Sequence, residues 1–297
     1  MSQVYHSPSQ GVADRLPYRM KRRKEERVRV LGGAVDLVKP AEVFHLVDEK
    51  LAAGERAVIA NHNLHSLFLF QKSDRMRRFY EMADVIEVDS TPLIFWARFV
   101  GRPSRRFHRC TYLDWRNEFW DRAIAKGWRV FFLGSEPGVA EAASEQIRAC
   151  WPEVELATHH GYFDVASPEN DAVVEEINAY KPDVLLVGMG MPRQERWILD
   201  NIETLNPCAI FAVGGAFDYE AGVQRAAPRW AGRIGAEWLF RLLWNPRRLF
   251  RRYCIEPWSL VAFAAQDVQR ALVRRMVRRP SAHVPTPGVR WAGQIKG

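Results

Sequence analysis

What the 297-residue chain lacks narrows its function before its motifs do. It has four cysteines, Cys110, Cys150, Cys208 and Cys254, and no Cys-x-x-Cys pair. That argues against a disulfide framework and a thiolate zinc site, and fits the reduced thiols of a cytoplasmic protein. No apolar run approaches the ~18 residues that span a bilayer. Met1 to Lys24 is polar and lacks the apolar centre of a secretory signal. The chain is therefore expected to be soluble or peripherally attached. No Gly-rich loop ends in Gly-Lys-Ser/Thr, so there is no Walker A loop. No Gly-x-Gly-x-x-Gly with a ribose-binding acid is present either, which weighs against a Rossmann-type dehydrogenase.

What is present supports a sizeable core, since 47% of the residues are apolar. The net charge of +8 is unevenly placed. Residues 225–297 carry 15 Lys and Arg against 3 Asp and Glu, whereas residues 31–224 carry 20 against 29. A basic end on an acidic body suits docking onto an anionic surface, either membrane or nucleic acid.

The centre of the chain repeats one unit, a short apolar run, a polar or Gly-rich turn, then a helix-like segment. Ala57–Ala60 ends at Asn61-His62-Asn63-Leu64-His65-Ser66, and a helix is expected over about Leu67–Met82. Val85–Val88 ends at Asp89-Ser90-Thr91-Pro92. Trp128–Leu133 ends at Gly134-Ser135-Glu136-Pro137-Gly138, and Val154–Thr158 at His159-His160-Gly161. Val184–Val187 ends at Gly188-Met189-Gly190-Met191-Pro192, ahead of Gln194 and Glu195, and Ala209–Val213 ends at Gly214-Gly215. This order predicts an α/β fold with a Rossmann-like, doubly wound, mostly parallel sheet. Ligands of such sheets bind beyond the carboxyl ends of the strands, where Asn61, Asn63 and Asp89 would gather. Asp89 has two readings from local sequence, a functional carboxylate and the N-cap of the following helix. The glycines likewise make tight turns or admit a phosphate to a helix N-terminus. His62-x-x-His65 has no third ligand nearby, so no metal is expected there.

Two basic stretches stand out. Arg102–Arg109 (RPSRRFHR) is a solvated loop or a diphosphate clamp. In AEWLFRLLWNPRRLFRRY, Trp, Leu and Phe alternate with Arg at helical spacing, which brings Arg241, Arg248, Arg251 and Arg252 into one region. That stretch reads either as a core helix with outward arginines or as an interfacial helix on an anionic membrane. The expected organisation is a basic leader over 1–27, a core over 28–224, a basic helical appendage over 225–279 and a disordered tail over 280–297.

Several motifs in order, DVIEVDSTPLIFWARFVGRP, VFFLGSEPGVAEAA, HHGYFD, KPDVLLVGMGMPRQERW, VGGAFDYEAG and APRW…EWLFRLLWNPRRLFRRY, resemble the WecG/TagA/CpsF glycosyltransferases (glycosyltransferase family 26). The resemblance covers about Val28 to Pro257. It implies inverting transfer from a UDP-sugar donor to an undecaprenyl-diphosphate-linked sugar acceptor at the inner face of the cytoplasmic membrane. It also implies peripheral attachment and a role in exopolysaccharide, capsule or related polymer synthesis, without nucleic acid. A homo-oligomer is a further possibility. Asp89 falls on the family's proposed general base, although Ser90 follows where the family has Gly. Asn63 matches the second residue of the family's Thr-x-Asn, with Asn61 replacing the Thr. Arg106 falls on the family's loop arginine, and Thr111 on a position where that loop departs from the pattern. Gln194, Glu195, Asp218 and the glycines at 134, 138, 188 and 190 complete the expected substrate site, and Arg241, Arg248, Arg251 and Arg252 the lipid-diphosphate site. Many glycosyltransferases hold a metal with Asp-x-Asp, which this sequence lacks, so neither metal nor cofactor is expected. The donor sugar is left open among N-acetylmannosamine, its uronic acid, glucose and glucuronic acid.

Overall fold

A hairpin of β1 (Arg27–Val30) and β2 (Gly33–Asp36) opens the described chain. The structure, a computed structural model, describes residues 27–225, 227, 231 and 235–277, apart from the side chains of 248 and 277. The expected leader up to residue 26, the Pro228-Arg229-Trp230 opening of the appendage, the tail from Pro280 and the Arg248 side chain lie outside the described residues. The hairpin is tied to the body by Asp36. Its carboxylate accepts from Arg27 Nε at 2.9 Å and from the Ile86 amide at 2.8 Å.

Six later strands form one sheet: β3 (Ala57–His62), β4 (Val85–Val88), β5 (Arg129–Gly134), β6 (Glu155–His159), β7 (Val184–Gly188) and β8 (Ala209–Ala212). Their order is β4-β3-β8-β7-β5-β6, and every pairing is parallel. The runs are apolar throughout because both faces are covered, as parallel sheets require. Along β7, Leu185 and Val187 enter one core while Val184 and Leu186 enter the other. The second core is rich in aromatics, and Phe132 stacks on Phe217 at 3.5 Å between ring centroids. This is the expected α/β architecture. From β5 the chain moves outward to β6, and from β7 it moves inward to β8. The neighbours β5 and β7 therefore flank a point where the winding reverses, the place where such sheets hold ligands.

Two expected boundaries differ. The helix expected over Leu67–Met82 is two helices, Leu64–Lys72 and Asp74–Met82, because the Ser73 side chain accepts from the Met76 amide and starts a new helix. The long C-terminal helical stretch is also broken. It runs as helix Glu237–Trp244, helix Pro246–Phe250, a π-helical turn Arg251–Ile255, a 3-10 turn Glu256–Leu260 and helix Val261–Val277. Asn245-Pro246 makes the first break, since proline has no N–H to continue the ladder.

The last helix is anchored to the body. Buried Asp267 accepts from the Leu31 amide at 2.7 Å and from Trp96 Nε1 at 3.1 Å. Arg274 donates to the Val100 carbonyl at 3.1 Å. Among the described residues no helix is long and apolar enough to cross a membrane.

Candidate active site

The parallel register brings the carboxyl ends of β3, β4, β5, β7 and β8 to one edge of the sheet. Three of them converge too closely for side chains. A Cβ on Gly134 would lie 2.4 Å from the Gly188 carbonyl oxygen, and one on Gly188 would lie 2.6 Å from the Gly214 oxygen. These two glycines are thus required by strand packing itself. Gly190 has φ +77 and open space around its Cβ position, so there the backbone conformation selects glycine. Gly138 begins helix Val139–Cys150 on the exposed side of its turn.

At the end of β4 stands Asp89. Its amide donates to the His62 carbonyl at 2.9 Å, and its Oδ2 accepts from Asn63 Nδ2 at 3.1 Å. It is not the N-cap of helix Thr91–Phe99, a position taken by Ser90. Burial pushes the Asp89 carboxyl above its ordinary range. The Asn63 hydrogen bond and the charges of Arg241, Arg252 and Arg109 pull it partly back.

Asn63 is itself the N-cap of helix Leu64–Lys72, with its Oδ1 accepting from the Ser66 amide at 3.0 Å. Asn61, at the end of β3, spends its Nδ2 on the Ala212 carbonyl and leaves its buried Oδ1 without a partner. Gln194 and Glu195 are buried in the first turn of helix Arg193–Asn201. Gln194 Oε1 accepts from the Gly214 amide at 3.0 Å, and its Nε2 donates to Glu195 Oε1 at 2.9 Å. Glu195 Oε2 has no partner, and burial pushes its carboxyl up to about 7. Two buried oxygens, one on Asn61 and one on Glu195, are therefore left over at the strand-end edge, on either side of β8.

Asp218 lies across the winding-reversal point. Its Oδ1 accepts from Ser135 Oγ, just after β5, at 2.7 Å. The next residue, Tyr219, has a hydroxyl that accepts from Gln224 Nε2 at 2.8 Å and from Arg241.

The basic residues divide differently from expectation. Arg241 and Arg252 turn inward, and both have Asp89 among the charges that act on them. Arg251 is exposed. In the basic loop, Arg106 is exposed on the 3-10 turn Arg106–His108. The arginine whose charge reaches Asp89 is Arg109, which sequence reasoning did not select. Arg109 donates to Asp114 at 2.7 Å and to Glu237 at 2.9 Å, linking the loop to the first C-terminal helix. Arg109 directly precedes buried Cys110, whose amide donates to the Val88 carbonyl at the end of β4 at 2.9 Å. Thr111 caps helix Tyr112–Lys126 and donates to Asp114 Oδ2 at 2.7 Å, one bond away from Arg109.

The two histidines of His62-x-x-His65 diverge. His62 is fully buried and stacks on Tyr80 at 3.8 Å, while His65 Nδ1 meets Glu256 Oε2 at 2.5 Å. The latter contact pins helix Leu64–Lys72 to the C-terminal turn beside Arg252.

Comparison with known proteins places this geometry in context. Residues 28–274 match the model of the glycosyl transferase WecG/TagA/CpsF family. The chain is also 31% identical over 169 residues to the N-acetylglucosaminyldiphosphoundecaprenol N-acetyl-beta-D-mannosaminyltransferases of Staphylococcus aureus strains MW2, NCTC 8325 / PS 47 and COL. That similarity covers 57% of this chain and 65% of each relative, just under two thirds of their length.

Proposed function

The chain belongs to the WecG/TagA/CpsF glycosyltransferase family, and from that premise we propose that it transfers a sugar, with inversion, from a UDP-sugar to an undecaprenyl-diphosphate-linked sugar. The acceptor class follows the name of the staphylococcal relatives. The polymer proposed is an exopolysaccharide, capsule or related cell-surface glycan.

The observation that carries the reading is the surrounding of Asp89. One half-buried carboxylate, held by Asn63 and faced by three arginine charges, stands at the ligand edge of a parallel sheet. Inverting transfer needs one base. Asp89 takes the proton of the acceptor hydroxyl as that oxygen attacks the anomeric carbon, and the bond from that carbon to the UDP oxygen breaks. A single carboxylate suffices, unlike the pair used by glycoside hydrolases. The negative charge that develops on the departing UDP is stabilised by guanidinium groups and helix N-termini. Arg241 and Arg252 serve the diphosphates, and the Gly188–Pro192 turn with Gln194 serves the donor. Asp218, opposite the Gly134 turn, contacts the nucleotide side. Asn61 Oδ1 and Glu195 accept hydroxyl or amide donors of the sugars.

The C-terminal segment contributes the membrane contact in this reading. Leu243 and Trp258 are each 76% exposed, and Trp244 and Phe250 are exposed near Arg247 and Arg251. Exposed aromatics with arginines suit the headgroup boundary, where each cation adds about 1 kcal/mol. The protein thus works peripherally on the inner face of the cytoplasmic membrane, with residues 28–224 as core and 225–279 as appendage.

The test is transfer from a panel of UDP-sugars, UDP-N-acetylmannosamine first, to a synthetic prenyl-diphosphate-linked N-acetylglucosamine, with and without EDTA. Product from one donor in both arms is expected. Product lost with EDTA would overturn the metal-free part. No product from any donor, with no UDP binding by calorimetry, would overturn the reading as a whole.

A further inference from the structure

We propose that Ser66 is a positioning residue that holds Asn63 against Asp89 and thereby sets the proton affinity of the Asp89 carboxyl. The inference rests on Asp89 as base for its catalytic meaning, but its physical content stands apart from that reading.

Ser66 is fully buried, and its hydroxyl sits among Asn63, His62 and Tyr80. Its Oγ donates to the Asn63 carbonyl at 2.8 Å. The same oxygen accepts from the Asn63 amide at 2.8 Å. It also lies 2.9 Å from His62 Nδ1. A hydroxyl has one proton to give. With that proton on the Asn63 carbonyl, His62 presents N–H at Nδ1; with it on Nδ1, the ring is the other tautomer. Burial holds His62 down at about 3, so the ring stays neutral over the working pH range. The ring is fixed in turn by stacking on Tyr80, whose hydroxyl donates to the Asn61 carbonyl at 2.9 Å.

The Ser66 side chain thus meets the Asn63 backbone at both its N–H and its C=O, the latter shared with the Leu67 amide at 3.1 Å. The Ser66 amide, at 3.0 Å, completes the hold by taking Asn63 Oδ1. With its oxygen committed there, the carboxamide can present only Nδ2 to Asp89, the 3.1 Å contact. The backbone amide of residue 66 thus sets which end of the carboxamide faces the base, and the Ser66 hydroxyl holds the Asn63 backbone that carries it. The other groups that face Asp89 are Arg109, Arg241, Arg252, Glu87, Cys110, Tyr80 and Tyr219. Of these, Tyr80 also interacts with the Ser66 side chain, and its hydroxyl donates to the Asn61 carbonyl at 2.9 Å.

The test reads Asp89 directly, without turnover. Carbon-13 NMR of protein labelled at the aspartate carboxyls follows each titration, and Asp89 is identified as the resonance lost in D89N. Because the Asn63 bond favours ionised Asp89, loosening it raises the midpoint. Ser66→Ala is expected to raise it by about half to one pH unit, the scale of one hydrogen bond to a carboxylate. Asn63→Ala should raise it similarly, and the S66A/N63A double variant no further. Ser66→Thr, which keeps the hydroxyl, should return the midpoint towards wild type. Should S66A fail to accumulate, Ser66→Cys fills the same space with a weaker hydrogen-bonding group and carries the same prediction. A wild-type midpoint in S66A and S66C beside a raised one in N63A would overturn the proposal, as would additive shifts in the double variant. Inactivity of D89N in transfer is a separate result, so failure of the positioning role and failure of the base assignment are told apart.

Discussion

Asn63 Nδ2 donates to Asp89 Oδ2 across 3.1 Å, joining the end of β3 to the end of β4. The two strands are neighbours in register, with His62 opposite Val88, so the residues that follow each strand meet without any loop excursion. The contact places a donor and a carboxylate at a fixed separation on rigid elements, and the C-terminal segment closes over it with Arg241 and Arg252. Each expected outcome below isolates one part of that arrangement.

Glu195 gives a pH dependence of stability. Its folded carboxyl is raised to about 7, against about 4.5 for an unperturbed one. Between those values the folded state holds a proton that the unfolded state has released. Stability therefore falls as pH rises from about 4.5 to 7, by roughly 3 kcal/mol when complete. Glu195→Gln removes the group that ionises. Its melting temperature relative to wild type should improve steadily from pH 5 to pH 8. A constant difference across that range would contradict the assignment.

The arginines of the C-terminal segment should separate into two classes. Arg241→Ala and Arg252→Ala, which face Asp89, are expected to lower acceptor kcat/KM by roughly 10- to 100-fold, as loss of a charged hydrogen-bonding partner does. Their sedimentation with phosphatidylglycerol vesicles should stay near wild type. Arg247→Glu with Arg251→Glu, both exposed, should weaken sedimentation strongly while sparing the turnover of a short-chain acceptor in solution. The reverse pattern would exchange the two roles.

Asp267 should prove structural. Asp267→Ala leaves the Leu31 amide and Trp96 Nε1 without their buried acceptor. A loss of about 2–4 kcal/mol is expected in urea unfolding, together with earlier proteolytic cleavage between the body and helix Val261–Val277. Unchanged stability would mean that the helix is held by its apolar contacts alone.

The sheet was legible because its signal is local. A run such as Val184–Val187 is apolar at every position only if both faces are buried, and Gly188 marks the strand end through the close approach of β5 and β8. That Asn61, Asn63, Asp89, Gln194 and Glu195 gather at one edge of the sheet was legible for the same reason, since strand ends of a parallel sheet meet. What was not legible depends on contacts far apart in sequence. Arg109 rather than Arg106 turns inward, drawn partly by its bond to Glu237, well over a hundred positions later. Arg241 and Arg252 have helical spacing that fits an outward face, and the π-helical turn Arg251–Ile255 helps place Arg252 where spacing did not. The sequence reads as one helix through the break at Ser73, which is made by its side chain accepting from the Met76 amide.

The measurement closest to the central claim compares wild type with Asp89→Asn in transfer from the productive UDP-sugar to the prenyl-diphosphate-linked acceptor, across pH 5 to 9. Asparagine keeps the shape and the Asn63 neighbour but cannot take a proton. The expected result is a fall in kcat of about 100- to 10,000-fold, with vesicle binding unchanged, and a wild-type profile whose acid limb marks ionisation of a carboxyl raised by burial. Transfer by D89N at a rate near wild type would contradict the account, because the proton of the acceptor hydroxyl would then have to go to another group.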